Sequence, residues 1–434
     1  MRRLVFVVSS ALVAVAVLAP AAAAQSLVSC TVAAQNRYVN DVMREIYYWN
    51  TALPTVNTSS YPSPEALLEA LRFRPLDEHY SYIGSSASEE AYYSDSQFVG
   101  FGFSSAYDGT GLRLLQIFPD SPAADAGMRR GDRITSIAGT SVVAHAAAGT
   151  LDTALGPSQE GVTVSIRFER GDGTVTDTAL TKRAVTIPTV SVLNLHEQDG
   201  RRVAYLFFRN FVTPSTAALD EAFTALREAG ATELVLDLRY NGGGLVSVAQ
   251  HLASLIGGSR TQGQVFAEYF HNTRNAFRNE VTRFEAKANA LMLERLVVIT
   301  TGSSASASEL VINALRPFIP VVTVGETTYG KPVGQYSITF CDKVLYPVSF
   351  TLRNALGQGD FFDGIPADCP AADDSDHQLG DPQEASFAEA LTVIRTGQCS
   401  APVVTAGPER RRESIRPELT RPRRGGLEQL IGAH

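Results

Sequence analysis

Three short segments of the 434-residue chain hold the residue types needed to attack a carbonyl, take a proton and stabilise an oxyanion. The first is Thr301-Gly302-Ser303-Ser304-Ala305-Ser306-Ala307-Ser308-Glu309, which follows an apolar run and opens a helical pattern. A serine hydroxyl there faces the positive end of the helix, and an oxyanion beside it meets unpaired backbone N–H groups. A serine-rich helix cap explains the same residues without chemistry. The second segment is Asp237-Leu238-Arg239-Tyr240-Asn241-Gly242-Gly243-Gly244. Its glycines permit a sharp turn with outward N–H groups, which is half of an oxyanion hole or a plain strand-to-helix connection. The third runs from Gly325 to Gln335 and contains Lys331. A lysine is ordinarily a solvated charge, but it becomes a base when burial lowers its pKa.

The elements around these segments decide whether they can meet. From residue 200 to 397 strands alternate with helices: strand Val203 to Phe208, helix Pro214 to Ala229, strand Glu233 to Leu238, helix Val246 to Leu255. Strand Leu296 to Thr300, a helix from about Ala307, strand Pro320 to Val324 and a last helix from Asp381-Pro382 to Gly397 follow. Such alternation predicts an α/β domain with crossover connections, and sites in open α/β sheets form beyond the strand ends. A helix of about ten residues from Ala307 carries the chain about 15 Å from that edge. The next strand and its turn return about 20 Å. A right-handed crossover therefore brings Lys331 back to Ser306. Serine is a weak nucleophile that needs a base within hydrogen-bond reach, and Lys331 can supply one. No G-x-S-x-G elbow is present, and the seven histidines are scattered; His251 and His271 in the α/β region are the remaining, weaker bases.

The rest of the chain frames this domain. Arg2 and Arg3 precede the apolar run Leu4 to Ala19, with small residues through Ala24, which reads as a secretory signal peptide over 1–24. Leu27-Val28-Ser29-Cys30 is a minor alternative, a lipobox that would lipidate Cys30. The run is short for a membrane span, so the expected product is exported, periplasmic or secreted, with no integral span after cleavage. Residues 31–90 predict a small helical region, with Ser63 capping a helix that begins at Pro64. Residues 97–183 read as short strands bounded by Gly, Asp and Pro. Residues 401–434 predict a disordered, Arg-rich tail, with contact to an anionic surface as the lesser reading. A net charge of −8 argues against nucleic-acid binding. The four cysteines form no CxxC pair, so no metal site is expected, and their even number in an exported chain predicts two disulfides. Three pairings are open; Cys341–Cys369, closing a short loop, with Cys30–Cys399 is the favoured one.

Ser306-Ala307-Ser308-Glu309, then Lys331 and Gln335, resemble the S-A-S-E and G-K-x-x-x-Q motifs of the C-terminal processing (tail-specific) serine peptidases. Asp237-Leu238-Arg239 and its glycines extend the likeness, although Gly242 stands where the family commonly has proline. Gly100-Phe101-Gly102-Phe103 looks like the carboxylate-binding loop of a PDZ domain, and Ser121 to Asp132 like its helix and turn. The resemblance implies a tail-specific protease (crotonase-like α/β) catalytic domain over 200–397, a β-rich PDZ domain over 97–183 and the small N-terminal helical region. It implies Ser306 as nucleophile, Lys331 as general base and Gln335 as the residue holding the lysine. Gly243 and Ala307 N–H groups would form the oxyanion hole, and no cofactor would be needed. Pro332 departs from the glycine found in many members. The expected activity is endopeptidase cleavage of protein or peptide substrates, with the PDZ domain capturing or gating their C-termini. A non-catalytic binding protein on the same fold, and a hydrolase of small esters, are the alternatives.

Overall fold

The computed structural model describes residues 29–400; the signal-peptide and Arg-rich-tail expectations fall outside the described residues. A six-stranded sheet forms the centre, in the order Val190–Gln198, Arg201–Phe208, Glu233–Asp237, Leu296–Thr300, Val321–Gly325, Cys369–Pro370. The first pair is antiparallel and the other four pairings are parallel. Parallel strands covered on both faces must be apolar throughout, and Leu234, Val235, Leu236 and Val297, Val298, Ile299 are all buried. One face packs against helices Ser215–Glu228, Val246–Gly257 and Ala307–Leu315. The other packs against helix Ala385–Thr396. That last helix starts later than the Asp381-Pro382 reading because Glu384, not Asp381, caps it, its carboxylate accepting from Phe387 N at 2.9 Å.

A second, four-stranded sheet joins Val281–Arg283, Val265–His271, Val348–Arg353 and Val333–Gln335. A third pairs Tyr82–Ser85 with the hairpin Ile338–Phe340 and Lys343–Tyr346. Helices Val32–Ile46 and Pro64–Leu71 bury Val39, Met43, Leu67, Leu68 and Leu71 against Val333, Phe340, Leu345 and Val348. The N-terminal region thus packs on the strands that flank Lys331. Ser63 caps its helix as expected, accepting from Ala66 N at 3.2 Å.

The PDZ domain is a sheet in the order Phe103–Tyr107, Leu112–Ile117, Arg133–Ile137, Thr163–Glu169, Val175–Thr181 around its own core. It is held against the catalytic domain by polar contacts. Arg130 donates to Asp373 at 2.9 Å and to the His377 carbonyl at 3.0 Å, and Arg113 donates to Ser375 at 3.0 Å and to Asp376.

The disulfides are Cys30–Cys341 and Cys369–Cys399, so the expected Cys341–Cys369 and Cys30–Cys399 pairs do not form. The physical reason lies in the hairpin. Cys341 sits at its tip, which projects over the N-terminal helices, whereas Cys369 lies in the edge strand of the central sheet beside the end of the last helix. Non-reducing peptide mapping is expected to recover these two pairs. Substituting Cys399 by Ser is expected to lower stability by about 2–4 kcal/mol, read by denaturant unfolding.

Candidate active site

The segment holding the expected nucleophile is built by its neighbours. Ser304 Oγ donates to the Leu238 carbonyl at 2.9 Å, and Ser308 Oγ to the Asn241 carbonyl at 2.9 Å. Both hydroxyls are consumed in bracing one segment on the other. Ser306 stands between them, in a cavity of about 530 Å³ that it shares with Gly243, Ala307, Lys331 and Gln335. Ser303, Ser304 and Ser308 do not line that cavity. The backbone of Ser306 has φ 56° and ψ −112°, a conformation that a side-chain-bearing residue rarely holds and that costs about 1–3 kcal/mol. The surroundings must therefore enforce it.

Glu309 is the main enforcer. Its carboxylate is fully buried. One oxygen accepts from Ser306 N at 2.8 Å and Lys331 N at 2.9 Å. The other accepts from Gly330 N at 2.7 Å and Thr328 Oγ1 at 2.6 Å. Burial pushes this carboxyl up from its ordinary pKa, while the four donors oppose that shift. A single side chain thus fixes the backbone of both the serine and the lysine.

Lys331 Nζ donates to Gln335 Oε1 at 2.6 Å. Removal from bulk water lowers its pKa to about 8, against the opposing pull of Asp77, Glu309 and Glu89. Ser306 and Lys331 line one cavity, with no hydrogen bond from Nζ to Oγ in this structure.

The glycine segment abuts the serine closely. A Cβ on Gly243, at φ +99°, would lie 2.8 Å from Ser306 Cβ and 2.9 Å from Ala307 N, so only glycine fits. The Gly243 N–H, however, donates to Asn241 Oδ1 at 2.9 Å. Asn241 lies two residues back in the same turn, where its side chain accepts from the backbone, so the expected oxyanion donor is engaged within the turn in this structure. Ala307 is the first residue of its helix, where amides lack intrahelical acceptors.

Buried charge anchors the turn. Arg239 bridges Asp237 at 2.9 Å and Glu384 at 2.7 Å, and all three are fully buried. Tyr240 takes φ 75°; its hydroxyl donates to Asp373 at 2.6 Å and accepts from Arg130 of the PDZ domain at 2.8 Å.

Of the histidines, His251 pairs with Asp220 at 3.1 Å and His271 with Tyr336 at 2.8 Å, and neither lines the cavity. The histidine that lines it is His79, which the sequence reading did not single out. Burial lowers the pKa of His79, and its Nδ1 has no partner among the described residues. Tyr80, Tyr82, Glu89 and Tyr346 also line the cavity. In the PDZ domain the Phe101 and Gly102 carbonyls accept from Ala123 N and Phe118 N at 2.9 Å each. Phe101 and Phe103 are buried in its core, and Phe103–Tyr107 is an edge strand.

Two substitutions test this geometry. Ser306→Gly is expected to raise stability by about 1 kcal/mol in denaturant unfolding by relieving the positive φ. Arg239→Met is expected to cost about 3–5 kcal/mol, because Asp237 and Glu384 are left buried without their cation.

Comparison with known proteins agrees with this architecture. Residues 202–366 match the family model of peptidase family S41, residues 34–82 the S41 N-terminal domain and residues 115–156 a PDZ domain. A carboxy-terminal-processing protease of Bartonella bacilliformis is 28% identical over 263 residues, covering 59% of this chain and 57% of that one. A chloroplastic C-terminal processing peptidase of Tetradesmus obliquus is 27% identical over 256 residues, covering 56% and 53%. The chain therefore spans a little over half the length of these relatives. A solved Bacteroides fragilis structure described as S41 superposes with a TM-score of 0.66 at 22% identity, covering 82% of this chain and 97% of that one. The chain thus carries a peptidase family S41 domain over residues 202–366, preceded by segments that match the S41 N-terminal domain and a PDZ domain.

Proposed function

We propose that the protein is an exported serine endopeptidase that cleaves protein substrates near their C-termini with a Ser306–Lys331 dyad. The observation that carries this reading is the Glu309 carboxylate joining the backbone of a strained serine to that of a desolvated lysine in one cavity. The neutral lysine takes the Ser306 proton as Oγ attacks the scissile carbonyl, and returns it to the leaving amine. Gln335 holds Nζ in place. Ala307 N–H and a donor of the Gly242–Gly244 turn stabilise the oxyanion, the Gly243 N–H serving once Asn241 Oδ1 releases it. Export is supported by the two disulfides. Among the described residues no helix is long and apolar enough to cross a membrane.

The PDZ domain captures or gates substrate C-termini. Its edge strand Phe103–Tyr107 can accept an extended peptide, with amides of Gly100 to Phe103 facing the terminal carboxylate. Arg130 supplies a route to the active site, since it holds Tyr240 at the root of the glycine turn.

The test is digestion of a denatured protein by the mature enzyme and its variants. Ser306→Ala and Lys331→Arg are expected to be inactive, Arg because it stays charged at any working pH. The wild-type rate is expected to rise with pH through about 8, because only the deprotonated lysine is a base. His79→Gln is expected to retain turnover. Near-normal turnover in Lys331→Arg together with loss in His79→Gln would replace the dyad by a serine–histidine mechanism.

A further inference from the structure

The turn Asp77 to Ser81 belongs to the N-terminal helical region, yet it contacts the residues that hold the lysine, Gly330 and Gln335. Asp77 is fully buried. Its Oδ1 accepts from Tyr80 N and Ser81 N, both at 2.9 Å. Its Oδ2 accepts from Tyr47 Oη at 2.8 Å and Ser81 Oγ at 2.6 Å. Ser81 Oγ in turn accepts from Val348 N at 2.9 Å, which ties the turn to the strand beside Gln335. The turn therefore has little freedom.

Tyr80 passes that rigidity on. Its carbonyl accepts from Gln335 Nε2 at 2.6 Å, and the Tyr346 carbonyl accepts from the same nitrogen at 2.8 Å. Two carbonyl acceptors commit both amide hydrogens, so the amide cannot flip and Oε1 must face Lys331 Nζ. The Tyr80 hydroxyl donates to the Gly330 carbonyl, immediately before the lysine. Tyr80 thus fixes the lysine loop at its beginning and, through Gln335, at its ammonium end.

We propose that Tyr80, anchored by Asp77, is a positioning residue for the lysine base, so that the N-terminal helical region forms a working part of the catalytic centre. The inference rests on the Ser306–Lys331 reading. The carboxylates whose charge acts on Lys331 are Asp77 and Glu89 of the N-terminal region and Glu309. Each anion favours the ammonium form, so removing the Asp77 charge moves the rise of rate with pH to lower pH.

The experiment measures kcat and KM for a peptide ester against pH in the mature full chain, normalised to sites titrated by a fluorophosphonate. Wild type, Tyr80→Phe, Asp77→Asn and Lys331→Met are compared, with thermal unfolding as a control. Tyr80→Phe is expected to unfold like wild type, to keep KM within about two-fold, and to lose about ten-fold or more in kcat per titrated site. Asp77→Asn is expected to shift the rate midpoint to lower pH. A merely structural role would reduce the number of titrated sites and leave kcat per site and midpoint unchanged. That result, with Lys331→Met inactive, overturns the proposal alone. An active Lys331→Met overturns the dyad reading and the proposal with it. If Asp77→Asn does not fold, the kcat of Tyr80→Phe decides.

Discussion

The Glu309 carboxylate is the constraint on which the rest of the site depends. Four donors converge on it, from the serine, the lysine, and the two loop residues Gly330 and Thr328. A buried carboxylate without such donors would be expelled or neutralised, so the fold has to deliver all four to hold it there. In doing so it delivers Ser306 and Lys331 to one cavity. The parallel strands Leu296–Thr300 and Val321–Gly325 end side by side, and this places the two loops at the same sheet edge. The carboxylate then converts proximity into fixed geometry and holds the positive φ of Ser306.

A second ionic centre, Asp237–Arg239–Glu384, does the same for the glycine turn. Its reach extends outward. Asp373 accepts from Arg239, Tyr240 and Arg130, so the sheet edge, the turn and the PDZ domain share one carboxylate. In the same turn Asn241 Oδ1 accepts from the Gly243 N–H. The PDZ domain thus touches the glycine turn through the Arg130–Tyr240 contact.

Much of the catalytic half was legible in the sequence because its signals are local. The strand Leu296–Thr300 and the helix start at Ala307 have the limits that apolar runs and small residues suggest, and the crossover follows from handedness. Three things were not legible. The strands Val333–Gln335, Ile338–Phe340 and Lys343–Tyr346 are three or four residues long, too short to show a period. Consequently the hairpin that carries Cys341 to Cys30 was invisible, and loop length misdirected the disulfide pairing. Asp77, His79 and Tyr80 lie far from the serine motif in the chain. No spacing rule joins residues separated by more than two hundred positions; only the packing of the N-terminal helices on Val333 and Val348 does so.

The central claim is that Ser306 is activated by a desolvated Lys331. Its most direct measurement is the rate at which a fluorophosphonate labels the mature protein as a function of pH, with the modified residue located by mass spectrometry. The account requires label on Ser306 alone, at a rate that climbs through about pH 8 and is lost when Lys331 is replaced by Met. Label on another serine, or labelling of Ser306 that ignores both pH and the loss of Lys331, would contradict it.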